Sequence, residues 1–159
     1  KEPVHQLEAE AGRGTSPYVW RASFLPVMNY GLQFVQNPDI DYELFHKNLN
    51  EWHDIKHLLT KDLYVLTPWH HHEDKSAWTV LAYDDSEIGE SILLGFRMED
   101  SAEDSFVAKL PFANEGSKYV LTNVDTLEEI ELDADALRSG ITLKLNEPKS
   151  SVLIKIKRK

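Results

Sequence analysis

From Asp62 to Lys157 the sequence reads as one short strand after another, and this pattern limits the fold more than any other feature of the chain. The candidate strands are Leu63–Thr67, Ala77–Tyr83, Ser91–Met98, Ser105–Leu110, Tyr119–Val124, Glu129–Leu132, Ile141–Leu145 and Val152–Lys157. In the last two, Ile141, Leu143 and Leu145 oppose Thr142 and Lys144, and Val152, Ile154 and Ile156 oppose Lys155 and Lys157. Side chains alternate across a strand, so each of these strands has one buried and one wet face. Turn residues separate the runs: Asp84-Asp85-Ser86, Asn114-Glu115-Gly116, Ser139-Gly140 and Asn146-Glu147-Pro148. Short strands punctuated in this way predict an antiparallel β-sandwich of Greek-key type. The expected interior is Val80, Leu94, Val120, Leu143, Val152 and Ile154.

The residues in front of this region differ in character. Leu44, Phe45, Leu49, Trp52, Ile55, Leu58 and Leu59 recur at three- and four-residue steps, which predicts a helix over about Asp41–Leu59 with Asp39 or Asp41 as its cap. Ahead of it, Tyr18 to Phe34 is dense in apolar residues and broken by Pro26 and Gly31. Such a stretch needs cover and suits the interior of a larger body. The expected division is therefore 1–37, the end of a larger domain; 38–61, a connecting helix; and 62–159, the β domain. The chain opens on Lys1 with no methionine and no charged-then-apolar leader, so its natural start is expected upstream.

The charge balance narrows the possible partners. A net charge of −10 argues against nucleic acid, whose phosphates are held by clustered Lys and Arg. The basic end, Lys155, Lys157, Arg158 and Lys159, reads as a solvated tail. No apolar run approaches the ~20 residues of a membrane span. There is no cysteine, which excludes disulfides, thiolate metal sites and a cysteine nucleophile. It leaves the compartment, cytoplasmic or periplasmic, undetermined.

Three sets of residues invite a chemical reading. His70-His71-His72-Glu73-Asp74 carries metal-ligand types, but consecutive residues of an extended chain point to alternate sides, so only His70 and His72 could share an ion. His53 and His57 stand one helical turn apart without the glutamate of a metalloprotease motif. The favoured reading is a polar loop, with no metal and no cofactor. Of the tryptophans, Trp52 and Trp78 fall on apolar faces, while Trp69 follows Pro68 in a loop and is the candidate carbohydrate contact. Asp84, Asp85, Glu87, Asp100, Glu103 and Asp104 read as solvated turn residues and not as the carboxylate pair that a glycosidase needs. No catalytic residue is expected.

Several segments, taken in order, resemble the C-terminal end of bacterial glycoside hydrolases of family 36, the α-galactosidase group. Pro17-Tyr-Val-Trp-Arg-Ala-Ser23 is similar to the family's entry to its last barrel segment. Asp39-Ile-Asp-Tyr-Glu-Leu-Phe-His-Lys-Asn-Leu-Asn-Glu-Trp52 resembles the helix joining barrel to tail, and Asp62-Leu-Tyr-Val-Leu-Thr-Pro68 the strand after it. Ala77-Trp78, Gly89-Glu90, Phe96-Arg97, Tyr119 to Asp125, Gly140 to Leu145 and Ser150 to Ile154 follow in the same order. The resemblance implies a parent with a (β/α)8 catalytic barrel, a retaining mechanism with two aspartates upstream of this chain, and a C-terminal β-sandwich. No position here matches either aspartate motif. Asn29-Tyr-Gly-Leu-Gln-Phe34 lacks the acidic residue often found after the aromatic-glycine pair, so this tail does not define the parent's substrate.

The leading expectation is a non-catalytic accessory domain that packs on the barrel of its own polypeptide and stabilises it. A carbohydrate-binding module would need an exposed row of aromatic rings. A stand-alone partner-binding sandwich, including a homo-oligomer, would need neither the barrel nor the rings.

Overall fold

The computed structural model describes residues 17–27, 41–71 and 73–159. The chain divides into two compact units, 1–60 and 61–159. The part of the Tyr18–Phe34 stretch beyond Val27, and the alternative cap Asp39, lie outside the described residues.

In the first unit, α1 spans Pro17–Ala22 and α2 spans Tyr42–Ile55. Asp41 caps α2, accepting from the Leu44 N–H at 3.0 Å, which satisfies one of the donors a helix start leaves free. The helix ends four residues earlier than its apolar stripe, because 56–60 continue as turns that still bury Leu58 and Leu59. Trp20 of α1 meets Phe45 of α2 edge to face, 5.5 Å between centroids. Arg21 grips Glu51 through two hydrogen bonds of 2.8 and 2.9 Å, a forked pair that is almost wholly buried. Glu51 stands outside the apolar stripe of the helix; the arginine of α1 is what draws it inward.

The second unit is an antiparallel β-sandwich. Its strands are β1 Asp62–Val65, β2 Trp78–Asp85, β3 Glu90–Arg97, β4 Ser105–Ala108, β5 Lys118–Asn123, β6 Glu129–Asp133, β7 Ile141–Lys144 and β8 Ser150–Arg158. Six form one sheet in the order β1-β2-β3-β8-β5-β6, and β4 pairs with β7 in a second. The chain leaves the large sheet after β3 and after β6, and β8 returns between β3 and β5, which is the crossover order of Greek-key type. Trp78, Val80, Leu93, Tyr119, Leu121, Val152 and Ile156 of the large sheet share one core with Ala108, Ile141 and Leu143 of the small one.

Each expected strand is present, but two interior assignments change. Val120 faces away from the core, and Tyr119 and Leu121 fill it. Leu94 is buried on the opposite face of β3, in a row with Ile92 and Phe96 and beside Leu153 of β8, while Leu93 points into the sandwich. Both errors have one cause: three or more apolar residues in succession carry no parity.

Two glycines make the packing possible. A Cβ on Gly95 would lie 3.0 Å from Leu143 Cδ1 and from Val152 Cγ1, so its absence lets the small sheet seat on β3. Gly140, at φ +127°, ends a short helix, α3 (Ala134–Ser139), that was not expected. Asp133 caps α3 by accepting from the Ala136 N–H at 2.8 Å. Nor is the basic end a loose tail. It belongs to β8, with Lys157 bonded to Glu90 at 3.1 Å, Arg158 donating to the Ser86 carbonyl, and Lys159 paired with Glu131.

Candidate functional site: the β1–β2 loop

The connection from β1 to β2 carries the aromatic and histidine residues that the sequence singles out. It is pinned at several points. The Leu66 N–H donates to the Val80 carbonyl at 2.9 Å, and the Asp100 N–H donates to the Lys75 carbonyl at the same distance. A ring nitrogen of His70 lies 3.1 Å from the Thr79 hydroxyl, tying the loop to β2. Asp74 accepts from the backbone and hydroxyl of Ser76, at 3.0 and 2.6 Å, closing a tight polar turn. Those bonds hold the Asp74 carboxyl below its ordinary value.

Trp69 stands out from this loop with 86% of its surface exposed, its ring edge-on to that of His71 at 6.4 Å. The other tryptophans are core residues. Trp52 donates its indole N–H to the Leu25 carbonyl at 2.8 Å, Trp78 donates to the Glu103 carbonyl at 2.9 Å, and Trp20 is buried against Phe45. Among the described residues, the exposed large aromatics are Tyr42 and Trp69, in different units. Within the second unit Trp69 is the exposed large aromatic among the described residues, and one ring does not make a row.

Among the described residues the histidines do not assemble into a ligand set. His70 is turned to Thr79, and His71 accepts from the Glu73 N–H at 3.3 Å. His72 lies outside the described residues. His53 and His57 are exposed on or just beyond α2, and His53 tilts against the Trp52 ring. Among the described residues no three His, Asp or Glu side chains converge on one point.

The acidic residues require one correction. Asp84 and Asp85 are not solvated turn residues; they end β2, and both are buried. Neighbours on a strand point to opposite faces, so they cannot flank one sugar ring as a catalytic pair must. Glu87, Asp100, Glu103 and Asp104 are exposed, as turn residues should be.

Comparison with known proteins gives a likeness of fold. No protein-family model and no curated protein sequence matches the chain. Among solved structures, it is similar to a family 36 α-galactosidase, AgaB of Geobacillus stearothermophilus, with a TM-score of 0.63 at 13% identity. It is also similar to the galactosidase domain of the α-galactosidase–sucrose kinase AgaSK, with a TM-score of 0.59 at 12% identity. Each match covers 82% of this chain but only 17% and 18% of the respective solved chain. That coverage is more than the second unit alone can supply, so each likeness takes in part of the first unit as well.

Proposed function

We propose that this chain is the non-catalytic C-terminal β domain of an α-galactosidase-like glycoside hydrolase, with the end of its (β/α)8 barrel at the front, and that the sandwich packs on that barrel and stabilises it. The observation that carries this reading is the pattern of coverage: most of this chain is matched by less than a fifth of an α-galactosidase.

The test is the reading frame around this sequence. A long upstream barrel with two aspartate motifs is expected, and the full-length protein should release galactose from α-galactosides. Removing 61–159 should lower its melting temperature without removing either aspartate. The 159-residue chain alone should release none. An upstream region with no barrel, or galactose release by the isolated chain, overturns the proposal.

A second reading, a carbohydrate-binding module, rests on the exposure of Trp69 in a pinned loop. An indole face stacks on the apolar face of a pyranose, and Glu73 and Asp74 lie close by in sequence. Titration with galactose-containing oligosaccharides, followed by tryptophan fluorescence, distinguishes the readings. Saturable binding that Trp69→Ala abolishes favours the module, and no response in either protein leaves the packing role.

A further inference from the structure

The two ends of the six-stranded sheet are built differently. At one end, β6 carries Glu129, Glu131 and Asp133, with Lys118 and Lys159 bonded to Glu131. Two copies of β6 laid antiparallel about Glu131 would set Glu129 opposite Asp133, a like-charge contact that disfavours pairing. At the other end, β1 reads Asp62-Leu-Tyr-Val65 and carries no such guard in its central residues. Leu63 and Val65 are 52% and 62% exposed.

The register shows which backbone groups lie on the free side of β1. Val65 is opposite Leu81, so Leu66 is opposite Val80, and its N–H bonds to the Val80 carbonyl. In an antiparallel ladder, alternate residues face the same neighbour. Asp62, Tyr64 and Leu66 therefore turn their N–H and C=O groups toward β2. Leu63 and Val65 turn theirs outward, where β1 has no neighbour among the described strands.

We propose that this edge is a self-pairing surface, and that two copies of the chain associate by antiparallel β1–β1 pairing centred on Tyr64. In that register Leu63 of one copy faces Val65 of the other, and the pair exchanges both backbone bonds. The same holds on the far side of the axis, so all four outward groups of each copy are satisfied. The exposed Leu63 and Val65 side chains of both copies then adjoin on one face of a continuous sheet. Asp62 falls opposite Leu66, and Lys61 opposite Thr67, so no like charges oppose each other. A contact this short buries well under the ~1,200 Å² of a standard interface, so the dimer is weak and forms at high protein concentration. The inference rests on β1 alone and is independent of the proposed parent enzyme.

Sedimentation velocity on the full chain from micromolar to millimolar concentration should show reversible dimerisation. Val65→Lys should weaken it by at least about tenfold, because an edge lysine stays exposed in the monomer but clashes with a second strand. Leu63→Lys should do the same, and circular dichroism should show both variants folded. The chain has no cysteine, so register can be read directly. A mixture of L63C and V65C chains should form disulfide dimers faster than either variant alone. A chain that stays monomeric throughout, or a dimer indifferent to both lysine variants and to the cysteine pair, overturns the proposal.

Discussion

Asp84 and Asp85 are consecutive in β2, yet their carboxyls are held in opposite conditions. The Ser91 hydroxyl donates to Asp84 at 2.6 Å, and burial still pushes that carboxyl above its ordinary value of 3.8. The Lys61 ammonium lies 2.8 Å from Asp85 and, by that hydrogen bond, holds its carboxyl below 3.8. Strand alternation separates the two environments by a single residue.

The pH consequence of Asp84 has a definite sign. A carboxyl whose folded pKa is raised binds more protons in the native than in the unfolded state between the two values. Stability from Asp84 is therefore greatest at low pH and is lost as pH rises through that window. Asp84→Asn should raise the urea midpoint at neutral pH, with the gain shrinking as pH falls toward the ordinary carboxylate range. A lower midpoint for D84N at neutral pH would mean that the nearby Arg158 charge outweighs burial.

Asp85 should behave the other way. Its folded pKa is depressed, so its contribution is present above 3.8 and lost as pH falls through the folded value. Lys61→Met should reduce that acid-side dependence, seen as a flatter profile of stability against pH. An unchanged profile would mean that Lys61 does not set the titration of Asp85.

Gly95→Val should destabilise the sandwich by roughly 1–3 kcal/mol, since side-chain atoms already stand 3.0 Å from where its Cβ would go. Combining it with Leu143→Ala should cost less than the two changes added, because the second makes room for the first. Strict additivity in urea denaturation would show that Leu143 is not the obstacle.

Arg97 bonds three carbonyls at once: Leu145 and Asn146 through Nη1 at 2.8 and 2.7 Å, and Ser101 through Nη2 at 2.8 Å. Arg97→Met should cost roughly 2–4 kcal/mol, because these acceptors lose a charged donor within a mostly buried site. Arg97→Lys should recover little, since one ammonium lacks the planar fork. Hydrogen exchange should rise first in 98–104 and 145–149.

In the first unit, Glu51→Ala should destabilise by up to about 3–5 kcal/mol, because it removes the forked carboxylate from the buried Arg21 guanidinium. Replacing both residues, Arg21→Met with Glu51→Leu, should restore most of it. Protection of 17–22 and 42–55 against exchange is the measurement, and equal loss in the single and double variants would rule out the ion pair as the cause.

The strands were legible because turn residues bracket them and because β7 and β8 alternate cleanly. Parity failed where the sequence is apolar on both sides, at Tyr119-Val120-Leu121 and Ile92-Leu93-Leu94. The six residues of α3 are too few for a helical period to show, although its Asp133 cap and Gly140 stop are both written in the chain. Burial of Asp84 depends on Ser91, a partner on the next strand, and local sequence does not encode that. The exposure of Trp69 was legible from its loop position after Pro68.

Strand β8 comes after the other seven in sequence but sits third from one end of the large sheet, bonded to β3 on one side and β5 on the other. On the ribosome, β1-β2-β3 and β5-β6 can form as separate antiparallel groups, but nothing joins them until Ser150–Arg158 has left the exit tunnel. The sandwich therefore closes only once synthesis has passed Arg158, and a nascent chain stalled before that point would expose the unmatched edges of β3 and β5 to whatever strand meets them first.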